Sequence, residues 1–211
     1  SNVGLIGIGI PPGSSVSQGF GTVGNPIQNN FSWTPTASQF GAFVMNFIAQ
    51  DNNGVQAQTS VSIIVSLKPV FDVPPTPPEA VHNILTPGVP FNYVVQASDP
   101  DPDDVVQIIA AEGKAMNGSK IPLYAGASFS PLPTASGNPT SGTFSWTPQV
   151  SDWGHKHVFF TAEDSYGDRA IHEVPSLVNS LPVFSPQGNE EAIVGLPFQM
   201  SISATDADIP Y

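Results

Sequence analysis

The chain has 211 residues and a formal net charge of −12, because 17 Asp and Glu side chains are balanced by only five Lys and Arg. So few positive charges give no basic surface for nucleic-acid phosphates or anionic lipid headgroups, and we expect neither partner. The absence of cysteine excludes disulfides, thiol chemistry and zinc ribbons. A hydrophobic content of 40% is enough to form a core.

Short runs rich in Val, Ile and Phe alternate along the chain with Gly, Pro, Asn and Ser. This pattern is typical of strands joined by tight turns, and long apolar stretches with a helical period are missing. The fold is therefore predicted to be all-β. The first apolar run, residues 3–10, ends at two prolines and is too short to cross a bilayer, so we expect no membrane insertion by this chain.

The next predicted strands lie at 31–35, with the sequence Phe-Ser-Trp-Thr-Pro, and at 45–49, where Met45, Phe47 and Ala49 share one face. Trp33 shares its strand face with Phe31, which favours a core side chain over a sugar-stacking platform. Residues 68–78 then hold five prolines, which stiffen the backbone and remove hydrogen-bond donors. We interpret this segment as a semi-rigid linker at a module boundary.

The elements after the linker repeat the earlier ones. Residues 144–148 are identical to 31–35 at an offset of 113 residues, and Asp164 follows its strand as Asp51 does. At an offset of 107 residues, 195–198 resembles 88–91. The chain is therefore predicted to contain the C-terminal part of one module (1–67), a complete module (68–181) and the N-terminal strands of a third (182–211).

A repeat of this length matches a domain of immunoglobulin size and exceeds the unit of a short solenoid. Each module is then large enough to bury a core of its own. The sequence predicts tandem Greek-key β-sandwich modules that pack against neighbouring modules of the same chain.

The turn after the strand at 91–97 is rich in carboxylates. Asp99, Asp101, Asp103 and Asp104 lie within six residues. Their mutual repulsion favours a hard cation bound by oxygen ligands. The alternative is a solvated turn in which aspartate acts only as a turn former.

Two sets of residues carry a family resemblance. The Ala-Thr-Asp-Ala-Asp sequence at 204–208 resembles the Asp-x-Asp motif of cadherin repeats, and 97–101 is a close variant. The Phe-Ser-Trp-Thr-Pro strand with the segments 39–41 and 49–54 is similar to bacterial cadherin-like and dystroglycan-type cadherin-like repeats. The resemblance covers nearly the whole chain and implies an extracellular or cell-surface protein, of bacterial origin.

The cadherin resemblance also implies calcium at the junction with the preceding module. The pair Asp99 and Asp101 and the later Asp164 match the cadherin ligands, and Asp206 and Asp208 match the pair in the third module. We add Asp103 as a further ligand. The acidic linker and the acidic mid-module motif of cadherins have no match in this sequence, so weak affinity is expected.

No motif for catalysis is present: a nucleophile elbow, a His-Glu-x-x-His pair and a P-loop are all missing, and we expect no enzymatic activity.

The favoured function is a structural or adhesive extracellular module, a spacer or cell-adhesion stalk, with homophilic contacts or a surface glycan or protein as ligand. The alternative is a carbohydrate-binding module attached to a secreted enzyme, using Tyr124, Trp153 and Tyr166. His155 and His157 share one strand face, as a weak transition-metal pair or a plain exposed surface.

Overall fold

The structure is a computed structural model that describes residues 1–186 and 188–206. The chain divides into two compact units, Ser1–Leu67 (unit 1) and Lys68–Tyr211 (unit 2). In the described residues, no helix is long and apolar enough to cross a membrane.

Unit 1 consists of six strands. In chain order they are β1 (Val3–Ile8), β2 (Ser15–Val16), β3 (Val23–Gly24), β4 (Phe31–Ser32), β5 (Gly41–Asp51) and β6 (Gln56–Val65). Four of them form an antiparallel sheet in the order β3-β1-β5-β6, and β2 pairs separately with β4.

Unit 2 contains two larger sheets. Its strands are β7 (Val70–Phe71), β8 (Asn83–Leu85), β9 (Phe91–Ser98), β10 (Val106–Lys114), β11 (Lys120–Ile121), β12 (Ser128–Ser130), β13 (Thr140–Trp146), β14 (Gly154–Asp164), β15 (Arg169–Val178), β16 (Val183–Phe184) and β17 (Ala204–Thr205). The five-stranded sheet has the order β11-β10-β14-β15-β8, and the four-stranded sheet has the order β12-β13-β9-β7. Pairing is antiparallel except between β8 and β15.

The chain passes between the two larger sheets of unit 2 five times, after β7, β8, β9, β11 and β13. These crossings are Greek-key connections between two packed sheets. The prediction of an all-β fold built from β-sandwich modules is confirmed.

The core of unit 2 lies between these sheets and is built from alternate residues of each long strand. Thirteen buried hydrophobic side chains form it: Leu85, Val95, Ala97, Val106, Ile108, Phe129, Phe144, Trp146, Val158, Phe160, Ala162, Val174 and Val178. Trp146 is 3% exposed and its Nε1 donates a hydrogen bond to the Ala125 carbonyl at 3.1 Å. It is a core side chain, as predicted.

Trp33, the repeat counterpart of Trp146, is only half-buried in unit 1. It packs edge-on against Phe43 at a ring distance of 4.8 Å, but its Nε1 has no partner in the described residues. The reason is that β4 pairs only with β2, whereas its counterpart β13 also pairs with β9. Without such a neighbour, one side of Trp33 stays open.

The segment after unit 2's last long strand forms a small ladder of β16 and β17. Val183 pairs with Thr205 there, just as Val70 of β7 pairs with Ser98 of β9. The described residues of this ladder are exposed. The assignment of 182–211 to a third module stays a prediction.

Candidate metal centre

Three aspartates meet at one end of the unit 2 sandwich. Asp99 directly follows β9 and Asp164 is the last residue of β14. Asp104 lies two residues before the first residue of β10. In the antiparallel ladder between β10 and β14, Val106 pairs with Asp164. The end of β14 and the start of β10 therefore lie side by side, and β9 enters the same end from the other sheet.

The three carboxylates form one compact and buried group. One oxygen from each of Asp99, Asp104 and Asp164 lies within 4.8 Å of the others. The three residues are 6%, 3% and 6% exposed. Buried carboxylates this close repel one another strongly unless a cation or a proton lies between them.

Each of these aspartates uses one oxygen as a hydrogen-bond acceptor, and in Asp99 and Asp164 that oxygen closes a local turn. Asp99 Oδ1 accepts a hydrogen bond from the Asp101 backbone N–H at 2.8 Å. Asp164 Oδ1 accepts two, from Tyr166 at 2.9 Å and Asp168 at 2.8 Å. Asp104 Oδ1 accepts from the Val105 backbone at 2.7 Å and from the Ser165 hydroxyl.

The second oxygen of each carboxylate is left without a partner. Oδ2 of Asp99, Asp104 and Asp164 is buried in all three cases and finds no hydrogen-bond partner in the part of the chain that the structure describes. Buried polar atoms are rarely left unpaired in folded proteins, and three together require an explanation. A bound cation would satisfy all three at once.

The electrostatics of Asp99 agree with this geometry. Burial raises the pKa of the Asp99 carboxyl, the backbone N–H of Asp101 acts in the opposite direction, and the charges of Asp104 and Asp164 raise it further. The ionised form of Asp99 is thus disfavoured in the metal-free protein. A divalent cation at the centre of the group would reverse that effect.

The site differs from the predicted ligand set in its third member. Asp99 and Asp164 lie together as expected, but the residue that joins them is Asp104. Asp101 is half-buried and its Oδ1 accepts from the Asp103 backbone at 3.1 Å, while Asp103 is exposed. A turn in which the Asp104 N–H donates to the Asp101 carbonyl at 3.2 Å brings Asp104 back towards Asp99.

In the sequence, Asp104 is one of four carboxylates in this turn, but it is not among the predicted ligands. The Asp-x-Asp resemblance pointed to Asp101 instead. The sequence signal that identifies Asp104 is its position two residues before Val106, the residue of β10 that pairs with Asp164 at the end of β14.

Asn138 holds the Asp-rich turn from the opposite loop. Its Oδ1 accepts from the Asp99 backbone N–H at 2.9 Å, and its Nδ2 donates to the carbonyls of Asp99 and Asp101 at 3.0 Å each. These bonds fix the backbone on both sides of the first ligand. The site is thus preorganised by neutral contacts that do not use the free carboxylate oxygens.

Unit 1 contains the same turn without the other carboxylates. Asp51 Oδ1 accepts from Asn53 and Val55 at 2.9 Å each, which is the pattern of Asp164. Gly54 and Gly167 take equivalent positions with φ of 86° and 88°, a conformation that favours glycine. Aspartate is therefore a turn former in both repeats. Asp164 is distinguished by the two buried carboxylates beside it.

Of the ligands predicted for the third module, Asp206 is not part of this group. Asp206 follows β17 and is exposed. Asp208 lies outside the described residues. Their assignment as calcium ligands stays a prediction.

The aromatic residues considered for glycan binding have different environments. The Tyr124 hydroxyl lies 3.1 Å from the carbonyls of Lys114 and His157, and its ring stacks on Trp146 at 5.3 Å, so it is structural. Trp153 is half-buried and lines a groove of about 530 Å³, and Tyr166 is 55% exposed. Carbohydrate binding stays a prediction.

No family model matches the sequence, and no curated protein matches it either. Among solved structures, an endo-fucoidan hydrolase of glycoside hydrolase family 107 matches with 15% identity and a TM-score of 0.34, over 85% of this chain and 24% of that one. The SrpA adhesin from Streptococcus sanguinis matches with 14% identity and a TM-score of 0.39, over 55% of this chain and 59% of that one. Tandem immunoglobulin domains of titin match with 12% identity and a TM-score of 0.35, over 85% and 82%.

The chain thus spans about a quarter of the length of the fucoidan hydrolase. Similarity of this degree identifies neither a family nor a function.

Proposed function

We propose that this chain is a structural or adhesive module array of an extracellular or cell-surface bacterial protein, and that calcium binds at Asp99, Asp104 and Asp164. The observation that carries the calcium proposal is the group of three buried carboxylate oxygens without hydrogen-bond partners. The repeated β-sandwich modules support the structural role, and the proposal includes no catalysis.

Calcium is favoured by the chemistry of the three side chains. All of them are carboxylates, and hard oxygen ligands of this kind select calcium over zinc or copper. Calcium accepts six to eight oxygens at irregular angles, so water and backbone carbonyls can complete the shell. Magnesium requires near-ideal octahedral geometry and keeps most of its waters, which a buried group of three carboxylates does not readily accommodate.

The cation would act as a clamp between three parts of the module. Asp99 belongs to the end of β9, Asp104 to the start of β10 and Asp164 to the end of β14. A common ion ties both sheets together at one end of the sandwich. Resistance to opening at that end is useful in a spacer or an adhesive stalk that bears load between neighbouring modules.

Calcium titration by calorimetry tests the proposal. We expect a dissociation constant in the range of about 10⁻⁴–10⁻³ M, as in extracellular calcium modules. Replacement of Asp104 by Asn keeps the oxygen that accepts from Val105 and Ser165 and removes one charge, so affinity should fall by about tenfold or more.

The matched control is Asp51→Asn, which changes the equivalent turn in unit 1. It should leave calcium affinity unchanged, because Asp51 does not belong to a group of carboxylates in the described residues. Absence of binding at about 5 mM calcium, above the usual range for such modules, would refute the proposal. Equal losses in both variants would also refute it.

A further inference from the structure

A second cluster of metal-binding side chains lies on the outer face of the five-stranded sheet. His155 and His157 are alternate residues of β14 and lie on the face opposite to the buried Val158 and Phe160. His82 stands just before β8, at the edge of the same sheet. Three of the chain's four histidines therefore share one surface.

The histidine rings are in direct contact. The ring of His82 lies 5.3 Å from that of His155 at an interplanar angle of 78°, and 6.3 Å from that of His157 at 82°. We propose that His82, His155 and His157 bind one transition-metal ion of the zinc, nickel or copper group. Imidazole nitrogen suits these metals, and two histidines at alternate strand positions project to the same side.

Binding requires a small rearrangement of side chains. In the described residues the aspartate group is the one set of three whose ligand atoms already lie within 4.8 Å, so the imidazole nitrogens must still converge. His82 and His155 are both exposed. Exposed side chains such as these change rotamer rapidly. The ring centroid of His82 already lies 5.3 Å from that of His155 and 6.3 Å from that of His157.

Glu173 prepares His157 for this role from the neighbouring strand. Its Oε1 lies 2.6 Å from His157 Nδ1, although the contact falls outside hydrogen-bond geometry. In many metal sites a carboxylate beside one ring nitrogen orients the imidazole, and the other nitrogen, here Nε2, is the ligand. Glu173 also lies 3.4 Å from Lys114 Nζ and so offsets a positive charge near the histidines.

The fourth histidine is a built-in control. His172 is 7% exposed, its Nε2 lies 2.7 Å from the Pro77 carbonyl, and its Nδ1 lies 3.3 Å from Glu79 Oε1. Both of its ring nitrogens are occupied, so it should bind no added metal. The histidine site is independent of the aspartate site because the two differ in donor chemistry and in residues.

The test uses the full chain without an affinity tag, titrated with nickel chloride and observed by proton NMR of the four imidazoles. Paramagnetic nickel should broaden the signals of His82, His155 and His157 and leave His172 sharp. In a parallel zinc chloride titration by calorimetry, His82→Ala and Glu173→Gln should each weaken binding by about tenfold or more. Asp164→Asn should leave zinc affinity unchanged.

Four outcomes would overturn the proposal. These are no broadening at all, broadening of His172 equal to that of the others, zinc affinity that His82→Ala does not change, and loss of zinc binding in Asp164→Asn. Because His82 is exposed and lies in a loop, the His82→Ala variant should fold. Its circular dichroism spectrum, compared with that of the unchanged protein, checks this. A loss of zinc binding in Asp164→Asn would assign the ion to the aspartate group instead, and calcium binding by the histidine variants separates the two sites.

Discussion

In the aspartate group, the two oxygens of each carboxylate differ in their hydrogen bonding. Oδ1 of Asp99 and Asp164 closes a turn, as Oδ1 of Asp51 does in unit 1, and Oδ1 of Asp104 accepts from Val105 and Ser165. Oδ2 of all three lies buried without a partner in the described residues. A turn former alone would leave its second oxygen in solvent, where hydration satisfies it. The burial of three such oxygens together is what favours a cation.

In the absence of metal, Asp104→Asn should stabilise unit 2. The amide keeps the oxygen acceptor, removes one of three buried charges and provides an N–H for Asp99 or Asp164. We expect a gain of about 1 kcal/mol in the free energy of unfolding, measured by urea denaturation with a chelator.

Asp101→Asn is the control for that substitution, since Asp101 is half-buried and outside the group of three. It should give no comparable gain. A destabilisation by Asp104→Asn with chelator present would mean that the three carboxylates do not repel, and the electrostatic account would be wrong.

At the scale of strands, the repeated segments 31–35 and 144–148 show what sequence patterns can and cannot predict. Identical residues at 31–35 and 144–148 predicted equivalent strands, and the alternation in each predicted its inward face. The burial of Trp146 followed from this, but the half-burial of Trp33 did not, because it depends on a β9-like neighbour that β4 lacks. Burial is a property of paired strands and cannot be predicted from one strand alone.

The same limit explains the candidate site. Asp99 and Asp164 were expected together because each follows a core strand that ends at the same end of the sandwich. Whether Asp101, Asp103 or Asp104 joins them depends on the turn that places the Asp104 N–H on the Asp101 carbonyl. Spacing predicts that a turn exists, but the direction of each side chain within it requires coordinates.

The two tryptophans should contribute unequally to stability. Trp146→Ala should cost about 3–5 kcal/mol, because a fully buried aromatic and its hydrogen bond to Ala125 are lost. Trp33→Ala should cost less, since the side chain is half-buried and its Nε1 has no partner in the described residues. Denaturant unfolding of both variants gives the comparison, and equal costs would contradict the difference in packing.

At the scale of the whole molecule, the two units should differ in stability and in their response to calcium. Unit 2 has a core of thirteen buried hydrophobic side chains, whereas Trp33 and the other aromatic residues of unit 1 are at best half-buried. Burial of apolar area is the main source of stability, so unit 1 should unfold first.

Scanning calorimetry should therefore show two transitions. Millimolar calcium should raise only the midpoint of the second, because a ligand stabilises the unit whose folded state it binds. Magnesium at the same concentration is the control and should give a smaller shift. A single transition, or an equal shift of both, would contradict the assignment of the ion to unit 2.

The most direct measurement is a crystal structure of the chain grown with calcium. Calcium binding at the aspartate group predicts one strong density peak that lies about 2.3–2.6 Å from Oδ2 of Asp99, Asp104 and Asp164 together, with further oxygens completing six to eight ligands. Water at hydrogen-bond distances of about 2.7–2.8 Å in that position, or carboxylates that turn away from one another at saturating calcium, would contradict it.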